Sequence, residues 1–157
     1  MAVKVHLDVG YEFEVKAPFG DVFALLSDVP ASIAHMPKVE KLTDLGGGVY
    51  QLEMQKVGTA QAHIQTVYAS KYVNDRKHGT VKWTPVPGVG NALVAGSWKI
   101  TDHQGRSTKL VLKIDGTADV PLPAVMRVVV EPIVEAEFEK VIEKYIANLI
   151  RVFGGEV

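Results

Sequence analysis

Pro123-Ala-Val-Met-Arg-Val-Val-Val-Glu-Pro-Ile-Val-Glu-Ala-Glu-Phe-Glu-Lys-Val-Ile-Glu-Lys-Tyr-Ile-Ala-Asn-Leu-Ile-Arg-Val-Phe153 reads as one long helix. At about 1.5 Å rise per residue it would run roughly 45 Å, the width of a domain this size. After Pro132 the residues Val134, Phe138, Val141, Ile142, Tyr145, Leu149 and Val152 keep helical spacing and form one apolar stripe. Glu135, Glu139, Glu143 and Arg151 fall opposite, as a solvated face should. Before Pro132 the phase differs: Val125, Met126, Val128, Val129 and Val130 cover most of the circumference, and only Arg127 and Glu131 interrupt it. Proline lacks an N–H and its ring clashes with the carbonyl of Val128, so a bend or break is expected there. Two arrangements follow. Either the helix is a kinked core element with Arg127 and Glu131 paired in solvent, or its apolar first half roofs a hydrophobic cavity.

Nearly everything upstream reads as strands. Val3, Val5, Leu7, Val9, Tyr11, Phe13 and Val15 alternate with polar residues, which predicts a strand with one buried face. Ala17-Pro18 ends it. Phe19, Val22, Phe23, Leu25 and Leu26 have helical spacing, and Pro30 to Met36 predicts a second short helix closed by Pro37. The turn Gly46-Gly47-Gly48 separates a strand near Val39–Leu45 from one carrying Tyr50, Leu52 and Met54. Further strands are expected from Thr59 to about Val73, around Val81 and Trp83, from Leu93 to Thr101, and from Lys109 to Ala118. Strands joined by short turns make an antiparallel meander, so the fold class is α+β: a curved sheet of about seven strands around the long helix. Val3–Lys16 should pair with Lys109–Ala118. Residues 1–157 are expected to form one domain, since no linker or repeat interrupts them.

Composition excludes several function classes. Seventeen Lys and Arg against 18 Asp and Glu give a net charge of −1, which supplies no electrostatic reason to bind nucleic acid. There is no cysteine, so disulfides, thiolate catalysis and thiolate metal sites are out. The N-terminus has no signal-peptide core, and no apolar run nears the ~20 residues that span a bilayer. These features predict a cytoplasmic protein without stable membrane insertion. They do not fix an oligomeric state.

The strand ending in Lys16-Ala17-Pro18, followed by Asp21-Val-Phe-Ala-Leu-Leu-Ser-Asp28, resembles the opening of the START-like helix-grip superfamily, which includes polyketide cyclases (the SRPBCC group). Gly96-Ser97-Trp98 and Ser107-Thr108-Lys109-Leu110 are similar to its paired late strands. Asp28-Val-Pro-Ala-Ser-Ile-Ala-His-Met36-Pro37, Val49-Tyr50 and Val57-Gly58 look most like the carbon-monoxide dehydrogenase branch of that superfamily. Two positions depart from that branch: Lys38 stands where it has Gly, and Thr59 where it has Pro. The resemblance implies the fold and a deep hydrophobic cavity beneath the C-terminal helix. It implies no single activity, because members include lipid and quinone carriers, cyclases and ligand sensors.

Catalytic and metal motifs are not found. His6, His35, His63, His78 and His103 are scattered without ligand spacing, and His35 alone lies near a plausible cavity mouth. Gly88-Val-Gly90 precedes a strand and lacks the third glycine of a dinucleotide loop. Ser27, Ser32 and Ser70 have no nucleophile-elbow context. No catalytic residue, metal ligand or cofactor is therefore assigned. Three functions stay open: a carrier of a small hydrophobic ligand such as a lipid, isoprenoid quinone or polyketide; a cyclase or dehydratase using the same cavity; and a filled core acting through protein partners. Inward strand phase and the apolar first half of the helix place Tyr11, Phe13, Met54, Trp83, Trp98, Leu112, Met126, Val130 and Ile133 on the cavity wall, with Met36 at its mouth.

Overall fold

Strict alternation over Val3–Val15 produces β1, whose Val3, Val5, Leu7, Phe13 and Val15 are buried while Val9 and Tyr11 are half-buried. The computed structural model describes residues 3–58 and 63–157. Pro18 precedes α1 (Phe19–Ser27), where its fixed φ and missing donor cost nothing. Asp28 then serves two helices. It closes α1, and its side chain accepts from Ala31 N at 3.3 Å as the N-cap of α2 (Val29–Ile33).

The remaining strands are β2 (Val39–Gly46), β3 (Val49–Met54), β4 (Val57–Gly58), β5 (His63–Ile64), β6 (Val67–Asp75), β7 (Thr80–Pro85), β8 (Ala92–His103) and β9 (Ser107–Val120). Seven of them form one antiparallel sheet in the order β1-β9-β8-β7-β6-β3-β2, and β4 pairs with β5 separately. β1 runs along the whole of β9, from Val3 opposite Val120 to Val15 opposite Thr108, as the alternating pattern required. The strand expected from Thr59 to Val73 is shorter at its start. β6 begins at Val67, and Thr59–Ala62 lie outside the described residues.

A 3₁₀ turn, Ala124–Met126, leads into α3 (Arg127–Val152). The helix does not break at Pro132. Val130, Val141, Ile142, Tyr145, Ile146 and Leu149 are buried in one continuous phase, so packing against the sheet overrides the missing hydrogen bond. Before Pro132 only Val130 finds cover, among Val3, Val5, Leu7 and Val120. Val125 and Val128 are 83% and 84% exposed, and Met126 and Val129 are largely exposed as well. The expectation that this apolar first half roofs a cavity therefore fails: the helix enters from beyond the sheet, and its roofing residues begin at Ile133. Arg127 is exposed, and among the described residues no ion pair joins it to Glu131. No helix among the described residues is long and apolar enough to cross a membrane.

The chain end is fastened to β1. Lys16 N donates to Gly155 O at 3.0 Å, and Val157 N donates to Glu14 O at 2.9 Å. Phe153 is thereby held in the core beneath α1 and β9.

Candidate functional site

Large side chains face inward from the sheet, and α1, α2 and α3 close over them. The closure leaves a cavity of roughly 130 Å³. One water needs only about 10–15 Å³ on the same measure, so the space is far beyond a packing defect. Its lining runs along α3 from Ile133 to Tyr145, twelve residues apart in the sequence. At 1.5 Å rise per residue that is about 18 Å, so the volume is spread along a narrow channel.

Trp83 on β7 and Trp98 on β8 form much of the floor. Trp83 lies flat against β8 because its cross-strand partner is Gly96: a Cβ there would sit 2.3 Å from the indole. Tyr72 stacks on Trp83 with centroids 5.4 Å apart, and Tyr50 meets Tyr72 edge-on at 5.8 Å. Trp98 is held between edge-on contacts with Phe13 at 6.0 Å and Tyr145 at 6.2 Å. Edge-to-face and offset pairs of this kind fix ring orientation as well as burying area. The floor is therefore preformed.

Of the ten residues expected around the cavity, Met36, Met54, Trp83, Trp98, Leu112 and Ile133 lie on its wall. Four lie elsewhere. Phe13 is buried behind Trp98 rather than beside the void. Tyr11 sits under the flank of α3, where burial and then the charges of Glu143 and Glu139 push its phenol pKa up. Val130 belongs to the satellite cluster with Val3, Val5 and Val120, and Met126 is on the exposed turn before α3. All four share the inward phase but lie beyond the end of the channel or behind its floor. Periodicity gives a residue's face and not its position along the groove.

The sequence pattern also missed the polar part of the wall. Ser32 Oγ on α2 and Tyr145 Oη on α3 share a buried hydrogen bond, and the Trp98 indole bears on the same phenol oxygen. Tyr68 and Tyr72 join them from β6. Burial pushes the Tyr145 phenol up to about 12, and the Ser32 and Trp98 contacts pull only partly against it. Tyr68 and Tyr72 are raised further, first by burial and then by neighbouring phenols, Tyr145 among them. These groups are neutral donors at any physiological pH. Residues 68 and 72 share one strand face, a spacing that an inward phase for β6 would have exposed.

Exposed lining residues mark where the channel opens: Lys38, Gln55 and Ile133, the last 48% exposed. Lys38 Nζ donates to Glu137 Oε2 at 3.0 Å, an ion pair from the α2–β2 connection to α3. That bond holds the Glu137 carboxyl below the ordinary glutamate value. Nearby, Asn148 Nδ2 donates to the carbonyl of His35 at 2.8 Å, a second tie between α3 and the end of α2. His35 itself is not on the wall. His6, His78 and His103 each pair at the surface with one carboxylate, Asp115, Asp75 and Glu14 respectively.

Residues 6–154 match the model of the family described as polyketide cyclase / dehydrase and lipid transport. The chain belongs to this family. Family membership covers almost the whole sequence, including every element around the channel. No curated protein matches the chain in sequence. Solved structures of the same fold include a START superfamily protein from Mycobacterium smegmatis, at 15% identity and a TM-score of 0.67 over 94% of this chain and 97% of that one. An aromatase/cyclase from Streptomyces sp. R1128 aligns at 18% identity with a TM-score of 0.61, covering 93% and 90% of the two chains. A conserved protein from Geobacillus kaustophilus gives 13% identity and a TM-score of 0.66, covering 97% and 95%. At such identities the likeness is one of fold.

Proposed function

We propose that this member of the family binds a small hydrophobic ligand, of the lipid, isoprenoid quinone or polyketide-like class, in the channel between sheet and α3, and holds it without chemical change. The observation that carries this is the channel itself: a preformed, mainly apolar space floored by Trp83 and Trp98. Burying apolar ligand surface at about 25 cal/mol per Å² needs no reacting group. Carriage is favoured over the cyclase or dehydratase reading by the charges on the wall. Lys38 and Glu137 neutralise each other at the mouth, and the inner polar groups are protonated phenols and one serine. A general base needs a pKa near the working pH, which none of these phenols has. The nearer kinship to the carbon-monoxide dehydrogenase branch rests on Asp28–Pro37 and belongs with this proposal.

Native mass spectrometry of freshly purified protein tests it. An apolar compound should leave with the protein and be recovered chemically intact after re-binding. Absence of any such compound, together with no response to added apolar probes, would remove the proposal's basis. Turnover of a bound polyketide would favour the cyclase.

A further inference from the structure

Three phenols and a serine meet toward one end of an otherwise apolar channel. Tyr145 and Ser32 satisfy each other. Tyr68 and Tyr72 do not share in that bond, and among the described residues neither hydroxyl has a hydrogen-bond partner. Yet among the described residues no fully buried side-chain oxygen lacks a partner. Both facts hold together only if the two hydroxyls open onto the void. Each can donate one hydrogen bond and accept others.

Charge narrows what they can meet. An ionised carboxylate brought to this end would lie among apolar groups without a counter-ion, which is costly. The lysine on the wall is at the mouth and already holds Glu137. Glu137 and Tyr145 are eight residues apart on α3, about 12 Å along the axis, so Lys38 cannot serve the inner end without leaving its partner. A pure hydrocarbon would leave both hydroxyls dry and unpaired, which is also unfavourable.

We infer, on the basis that the channel is the ligand site, that Tyr68 and Tyr72 hold an uncharged carbonyl or hydroxyl oxygen on the inner end of an otherwise apolar ligand. The class is neutral alcohols, ketones and quinone-type carbonyl compounds, in preference to fatty acids and hydrocarbons. The raised phenol pKa values agree, because both groups remain donors across the accessible pH range.

The test compares decanol, decane and decanoate at pH 7 on the full chain. The two tryptophans, Trp83 and Trp98, both line the channel, so intrinsic fluorescence reports occupancy directly. One net hydrogen bond is worth roughly tenfold, so decanol should bind about tenfold tighter than decane. Decanoate should bind more weakly than decanol, and the gap should close as pH falls into the carboxylic-acid range, roughly 4 to 5. Tyr68→Phe with Tyr72→Phe, shown to fold by thermal melting, should erase decanol's advantage and leave decane unchanged. Equal binding of decanol and decane by the unmodified protein overturns the assignment, and that comparison does not depend on any variant folding. So does decanoate binding tightest, or a folded double variant that keeps the preference for decanol. If none of the three binds, the channel is not a ligand site, and the assignment falls with it.

Discussion

Gly96→Ala should destabilise the protein by deforming the floor of the channel. The new Cβ would lie 2.3 Å from Trp83 Cζ2, 2.5 Å from Trp83 Cε2 and 2.7 Å from the Lys113 carbonyl oxygen. The first two contacts can be relieved only by moving the indole, which is itself stacked on Tyr72. The third is with backbone in the middle of the β8–β9 ladder and has nowhere to go. Overpacking of this kind costs about 1–3 kcal/mol. For a chain of this length that lowers Tm by roughly 3–10 °C. A displaced Trp83 would also intrude on the channel, so affinity for an apolar probe should fall together with stability. Gly10→Ala is the control, because its nearest non-neighbour atom is Leu112 O at 3.8 Å and its backbone is ordinary. That change should be neutral or stabilising by a few tenths of a kcal/mol to about 1 kcal/mol. Thermal melting by circular dichroism with parallel tryptophan fluorescence measures both. If Gly96→Ala melts within about 1 °C of the unmodified protein, or no lower than Gly10→Ala, the account of Trp83 against β8 is wrong.

Further outcomes follow from other contacts. Tyr145→Phe leaves Ser32 Oγ buried without its partner and should cost about 1–3 kcal/mol in denaturant unfolding; adding Ser32→Ala should recover part of that loss rather than add to it. Val128→Lys, at a site 84% exposed, should change stability by less than about 0.5 kcal/mol, whereas a larger loss would mean that α3 begins in the core. Glu14 accepts from Ser107 and then His103, which holds its pKa below the ordinary value of 4.5. Because the folded value is the lower one, its contribution is complete above that ordinary value and is lost as pH falls through the folded value; Glu14→Gln should flatten this part of the acid unfolding curve, and an unchanged curve would refute it.

Most of the fold could be read because its signals are local and repeated. Alternation over Val3–Val15 gives a strand and its buried face, and the stripe from Val134 to Leu149 gives the helix and the side it packs. The pairing of β1 with β9 follows from a meander whose first strand needs a partner on the free edge. The site was legible only in part. Met54, Trp83 and Trp98 are large and inward, so size and phase together place them on the wall. Phe13 has the same size and phase but packs behind Trp98, a difference of depth that no periodicity contains. Val125 and Met126 look like core by composition, yet the helix starts before the sheet can cover them. The partnership of Ser32 with Tyr145 joins residues 113 apart in the sequence, and only the closure of α2 onto α3 brings them together.

Lys38 shows how a departure from a family pattern can be given a physical meaning. Its φ is 61°, in the left-handed region that glycine enters freely and a side chain enters at a cost of about 1–2 kcal/mol. The branch this chain resembles has Gly at the position, as such a backbone would favour. Lysine instead places an ammonium 3.0 Å from Glu137, across the opening of the channel. An exposed ion pair contributes at most about 1 kcal/mol, so the pair alone does not repay the backbone strain in stability. What it adds is a contact between the α2–β2 connection and α3 at the place where a ligand must pass. The strained residue is therefore better explained by the mouth of the channel than by the stability of the fold, in keeping with the tendency of such strain to gather at working sites.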